Sequence, residues 1–158
     1  MKVYVKNKMF SMHGNSTVKD ENQNDVFAVK GKVFSFTNKK FICDLNGNTL
    51  YSVRNKMMTF FYHKVIMYDG NGNKIACIKH PPFSKRFEVE GYKDNIVVDG
   101  DFFSLESRVT RNGLTIGTIT RQIDWTDTFC LEGNPPDIPF LIALVIAIDI
   151  ITDKIRAS

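Results

Sequence analysis

The chain has no closely spaced pair of cysteines. Cys43, Cys77 and Cys130 are the full set, the count is odd, and long stretches separate them. That argues against a disulfide scaffold and against zinc-ligand spacing, so the three thiols read as reduced, small apolar residues. Histidines are equally sparse: His13, His63 and His80 are scattered, and no Gly-x-Ser-x-Gly elbow accompanies them. Nucleophilic catalysis therefore has no visible carrier. Phosphate-loop and dinucleotide fingerprints are missing too, because Gly70-Asn71-Gly72 lacks a third glycine and a following helix. Three Asp-x-Asn-x-Asn stretches resemble the start of an EF-hand loop, which needs Gly at its sixth position and Glu at its twelfth. Those positions are Asp25 and Gly31 from Asp20, Thr49 and Asn55 from Asp44, and Lys74 and His80 from Asp69. The sequence thus predicts no catalytic residue, no metal and no cofactor.

Targeting signals are also lacking. Met-Lys-Val-Tyr-Val-Lys-Asn-Lys at the start has no apolar core and no cleavage site. The expectation is a cytoplasmic protein, in which the Asn15-Ser16-Thr17 sequon stays unmodified. No apolar run reaches the roughly 18 to 20 residues that span a bilayer, so no transmembrane span is expected. No low-complexity tract suggests disorder, and 158 residues with 43% hydrophobic content suit one domain, 1–158, with a sizeable core.

Charge is present but uneven. The overall balance of +4 divides into +9 for residues 1–93 and −5 for residues 94–158. Such asymmetry can mark a basic face for phosphate groups or membrane headgroups, or simply a solvated surface. Nucleic acid is not expected as a partner, since the modest charge comes without a recognisable reading module.

An internal repeat organises the chain. Asp20-Glu-Asn-Gln-Asn24, Asp44-Leu-Asn-Gly-Asn48 and Asp69-Gly-Asn-Gly-Asn73 each lie between apolar-aromatic runs, and Arg111-Asn112-Gly113 is a weaker fourth. Asn and Gly tolerate positive φ, so each unit predicts a β-hairpin. Strands are expected at Val3–Lys6, Lys32–Phe36, Lys40–Asp44, Met57–Phe61, Lys64–Tyr68, Phe87–Glu90, Ile96–Asp99, Glu106–Thr110 and Thr128–Glu132, besides those following the turns. The count is near twelve. So long a meander avoids exposed edges by closing into a barrel. Twelve strands make a barrel too wide for its own side chains to fill.

The filling is the last apolar run. Every residue from Phe140 to Ile148 is apolar, so a helix there has no polar face and must be enclosed. Asn134-Pro135-Pro136-Asp137 ends the preceding strand, Asp137 suits an N-cap, and Pro139 falls in the first turn, where its missing N–H does no harm. The helix is expected over Ile138–Ile148. Asp149 follows it, where the macrodipole disfavours an acid. It is expected to pair with a strand Lys, Arg or backbone N–H at the barrel mouth, the alternative being a buried acid in a ligand pocket.

These features together resemble the LURP-one-related family of the Tubby C-terminal-like superfamily, which also includes the phospholipid scramblases. The carriers are the Asp-x-x-Gly-Asn hairpins followed by Ile/Val-Lys, Val98-Asp-Gly-Asp101, Asp124-Trp-Thr-Asp-Thr-Phe129, and the ending Leu141-Ile-Ala-Leu-Val-Ile-Ala-Ile-Asp149. Family members often carry two acids before the helix, whereas this chain keeps only Asp137 there. The resemblance implies a mainly β fold: a Tubby C-terminal-like closed antiparallel barrel of about twelve strands around a central hydrophobic C-terminal helix. It implies no agreed activity. Tubby proteins bind phosphoinositides and scramblases are membrane-linked, which suggests anionic phospholipid headgroups as partners.

Basic residues are the functional lead. Lys30, Arg54 and Lys79 end equivalent strands, Lys32 and Lys56 lie two residues beyond the first two, and Lys85 and Arg86 follow the third. Equivalent strand ends can gather at one barrel rim, where interleaved Phe60, Phe61 and Phe83 could enter a headgroup region. Lys at strand ends also discourages aggregation, so the pattern admits a purely structural role. The expectation is a non-enzymatic module binding phosphate-bearing anions, peripheral at a membrane surface. A scaffold that recruits a protein partner is the alternative, and an enzyme acting on a small lipid-like substrate comes third.

Overall fold

The computed structural model describes residues 1–6, 15–31, 37–56, 63–84, 86–100, 106–122 and 128–157. Among these residues twelve strands precede one helix: β1 (Lys2–Lys6), β2 (Ser16–Asp20), β3 (Asp25–Gly31), β4 (Lys40–Cys43), β5 (Thr49–Asn55), β6 (His63–Asp69), β7 (Lys74–His80), β8 (Glu88–Gly91), β9 (Ile96–Asp99), β10 (Glu106–Arg111), β11 (Leu114–Gln122), β12 (Thr128–Gly133) and α1 (Ile138–Ala157). They form a single antiparallel sheet in the order β8-β7-β6-β5-β4-β3-β2-β1-β12-β11-β10-β9. Every pair of sequence neighbours but β8 and β9 is hydrogen-bonded, and β1 closes onto β12, with Lys2 opposite Glu132 and Lys6 opposite Thr128. β8 and β9 lie against each other without a ladder among the described residues, so the barrel is nearly closed, with one seam. The predicted strands 32–36 and 57–61 lie outside the described residues.

Three hairpins share one turn. Asp20, Asp44 and Asp69 each accept through Oδ1 from the backbone N–H four residues on, at 2.9, 2.8 and 2.9 Å. In each, the Asn at that position also donates its side-chain amide to the second carboxylate oxygen. The residue before that Asn has positive φ: 66° at Gln23, 90° at Gly47 and 84° at Gly72. A bulge precedes each turn, at Val18/Lys19, Ile42/Cys43 and Met67/Tyr68. These local hydrogen bonds hold the three carboxyls below the usual carboxylate range. The weaker fourth repeat is a different turn. Arg111 pairs directly with Leu114, and Asn112 and Gly113 both have positive φ, as a two-residue type I′ hairpin requires.

Alternate strand residues point inward: Val3 and Val5 on β1, Val65 and Met67 on β6, Ala76 and Ile78 on β7 are all buried. They surround α1, which is buried from Ile138 to Ile151. The helix starts as expected. The Asp137 carbonyl accepts from Leu141 N–H at 3.1 Å, and the Asp137 carboxylate pairs with Arg111 Nη1 at 3.3 Å. The Arg111 guanidinium lies 4.5 Å from the Phe140 ring, which meets Tyr51 edge-on at 6.0 Å. Gly117 and Gly133 face each other on β11 and β12, and a Cβ at Gly117 would come within 2.5 Å of Leu141 Cδ1. Only glycine lets the helix pass so near the wall.

The helix is longer than expected. It runs 20 residues, about 30 Å, and not merely to Ile148. Ile150, Ile151 and Ile155 continue the apolar face at helical spacing, while Asp153 is exposed as the helix leaves the barrel. No described helix is long and apolar enough to cross a membrane.

Candidate functional site

The Asp-containing turns all fall at one end of the barrel, and α1 enters there. Strands β3, β5 and β7 therefore run toward the opposite end, to which β5 and β7 bring Arg54 and Lys79, whereas Lys30 on β3 stands opposite Phe41 and turns its side chain back toward the β4–β5 turn. α1 ends there as well, so its partial negative pole faces the same region.

Register builds a basic wall on the outside of β5, β6 and β7 at that end. Lys64 stands directly opposite Lys79, and Lys56 N–H donates to the Lys64 carbonyl at 2.9 Å. Arg54, opposite Ile66, is exposed on the same face and donates to the Tyr68 hydroxyl at 3.0 Å. Beneath these chains Ile66 and Cys77 are buried although they face outward. Burial pushes the Cys77 thiol up, more than the nearby Lys79, Lys64 and Lys56 pull it down. It is a packed thiol, not a poised nucleophile. Lys79 forms an ion pair with Glu90, and that bond holds the Lys79 ammonium above its usual range and the Glu90 carboxyl below its own.

Inside the same end lies a small polar layer. Lys40 on β4 and Asp149 on α1 are both buried, and each lies in the field of the other. Burial lowers the Lys40 ammonium, and Asp149 partly offsets that. Asn55 is buried beside them. With its amide oriented to match its neighbours, Nδ2 donates to the Lys64 carbonyl at 3.0 Å and Oδ1 accepts from Lys154 Nζ. Asp149 thus lies buried in the field of a strand lysine. Among the described residues no group of three or more His, Cys, Asp or Glu could hold a metal ion.

Of the residues singled out from sequence, Arg54, Lys56 and Lys79 come together on this wall. Lys30 is exposed two strands away on β3, and its Nζ lies beside the β4–β5 turn, 3.7 Å from where a Cβ at Gly47 would be. Arg86 is exposed in the connection after β7. Lys32 and Lys85, with Phe60 and Phe61, lie outside the described residues. Lys64 joins the wall without having been singled out. Pairing β6 back from the Asp69 turn would find it, because it is the cross-strand partner of Lys79.

The LURP-one-related (LOR) family model matches residues 1–149. A solved X-ray structure of a protein from Arabidopsis thaliana is similar in fold, with a TM-score of 0.67 over 96% of this chain and 90% of that one, at 18% identity. No curated protein matches the chain. With most of its length matched by the family model and the barrel fold shared with that solved structure, the chain belongs to the LURP-one-related family.

Proposed function

We propose that this protein is a non-enzymatic binding module for anionic, phosphate-bearing ligands, namely phosphoinositide or phospholipid headgroups, which it meets at a cytoplasmic membrane surface through the β5–β7 wall. The observation that carries this reading is the direct opposition of Lys64 and Lys79, with Lys56 beside Lys64. Like charges directly opposed across strands destabilise a sheet. Glu90 already lies in the field of both lysines, and a phosphate between them would bring more negative charge and more acceptor oxygens than that one carboxylate. Glu90 holds Lys79 in the free protein, so ligand binding would displace a carboxylate. Arg86, exposed after β7, extends the basic surface, while Lys32 and Lys85 join the proposed set by their place in the sequence and Lys30 lies apart beside the β4–β5 turn.

Co-sedimentation with neutral and anionic vesicles at low and high salt tests the reading. Binding should be confined to anionic vesicles, should fall steeply with salt, and should weaken in Arg54→Ala and Lys79→Ala. Binding that ignores salt, or both substitutions, would overturn it. A protein partner is the second reading, favoured by the exposed apolar side chains of Tyr92, Val97 and Leu114. Absence of vesicle binding, with a specific partner recovered through that side of the barrel, would move the conclusion there.

A further inference from the structure

Phe83 is the most exposed large apolar residue described, at 108% of its reference surface. Its backbone is also in the left-handed region, at φ 63°. A bulky aromatic residue there is a genuine outlier, because Cβ crowds the following carbonyl. Nothing in packing compensates, since the ring stands wholly in solvent. Its surroundings hold it there. Pro81 and Pro82 fix φ just before it. Ser84 N–H donates to the Pro81 carbonyl at 3.2 Å, and Ser84 Oγ accepts from Arg86 N–H at 3.0 Å. The base is clamped where His63 faces His80 across β6 and β7, and His80 packs edge-on to Phe87 with ring centroids 5.0 Å apart. A strained, clamped and fully wet phenyl ring is an arrangement that folding alone does not explain.

Its position suggests what it meets. The turn follows β7, the strand that supplies Lys79, and leads to the exposed Arg86. A phenyl ring beside cationic side chains complements an anionic bilayer, in which headgroups take the charges and the acyl boundary takes the ring.

We propose that Phe83 is a membrane anchor, inserting its ring into the interfacial region of an anionic bilayer when the basic wall docks. This rests on the headgroup reading above and adds to it that the ligand is the lipid surface itself, not a soluble phosphate. The test uses the full chain and its Phe83→Ala and Phe83→Trp variants. The probes are phosphatidylcholine vesicles, phosphatidylcholine vesicles containing phosphatidylserine, and inositol hexakisphosphate as a soluble polyanion. Phe83→Ala should bind the anionic vesicles roughly tenfold more weakly than the parent chain, with unchanged affinity for inositol hexakisphosphate. Phe83→Trp should show a blue shift over the parent's Trp125 background with anionic vesicles only. If the parent binds anionic vesicles but Phe83→Ala matches it and Phe83→Trp emission does not move, the anchor is overturned and the basic wall stands. The anchor falls equally, with the wall intact, if the parent binds inositol hexakisphosphate but no vesicle. If the parent binds neither, both fall.

Discussion

At the turn end of the barrel, Asp20, Asp44 and Asp69 each direct both carboxylate oxygens into their own hairpin, and Arg111 closes on Asp137. At the other end Lys64 faces Lys79, Lys40 is buried by Asp149, and Phe83 stands in water on a strained backbone. One end answers its polar groups locally. The other gathers like charges around one carboxylate, Glu90, and keeps a buried ammonium and an unsheltered ring. Strain persists where something other than folding retains it, so the contrast agrees with the proposal that the turn end serves architecture and the opposite end encounter.

Substitutions can break this contrast, and the largest effect is expected at the turn end. Leu141→Ala empties the notch formed by Gly117 and Gly133 and should cost about 3 kcal/mol in urea unfolding. At the other end, Asp149→Asn leaves Lys40 buried without its acid and should cost roughly 2 kcal/mol by the same measurement. If Asp149→Asn is neutral, the polar layer does not hold the helix. Phe83→Asn should move the other way. Asn accepts the left-handed region, so the variant should gain up to about 1 kcal/mol while losing vesicle affinity. A less stable Phe83→Asn would mean that the ring packs on something in solution.

The smallest effect concerns pH and separates the ends by sign. The turn carboxyls are lowered in the fold, so their contribution is present above the ordinary carboxylate range and disappears as pH falls through the lowered values. Asp69→Asn should therefore lower the thermal midpoint at neutral pH and match the parent chain in strong acid. Lys40 works in the opposite direction. Its ammonium is lowered, so the unfolded chain binds the extra proton more readily, and stability should rise as pH climbs from the lowered value toward the ordinary lysine range. Lys40→Met should lack that alkaline rise in a pH series of thermal melts.

The turn end is also the legible one. Asp, Asn and Gly at fixed offsets specify a turn by local chemistry, so the three hairpins can be read residue by residue. Val3–Lys6, Lys64–Tyr68 and Ile96–Asp99 stand where alternation places strands. Ser16–Asp20 is hidden in the sequence because Val18 is its one apolar residue, too little to show a period. The helix reads short because Asp149 looks like an end, whereas Lys40, distant in sequence, makes it tolerable inside. The wall is half visible for a related reason. Arg54, Lys56 and Lys79 follow turns and can be counted off, but Lys64 joins them only through register across β6 and β7. Phe83 is legible as an aromatic and invisible as a strained one.

The union of β1 with β12 has a consequence for how the chain reaches this state. Lys2 finds its ladder partner only at Glu132, and the helix that fills the barrel is made after that strand. While the chain is being made, the first hairpins can form but β1 keeps an unpaired edge and the inward valines have nothing to cover them. Such a topology folds slowly, on the millisecond-to-second scale, and is prone to associate through that edge until the last strand and helix arrive together. A ribosome-bound chain stalled before Thr128 should therefore be captured by holdase chaperones, and release of the final segment should free it.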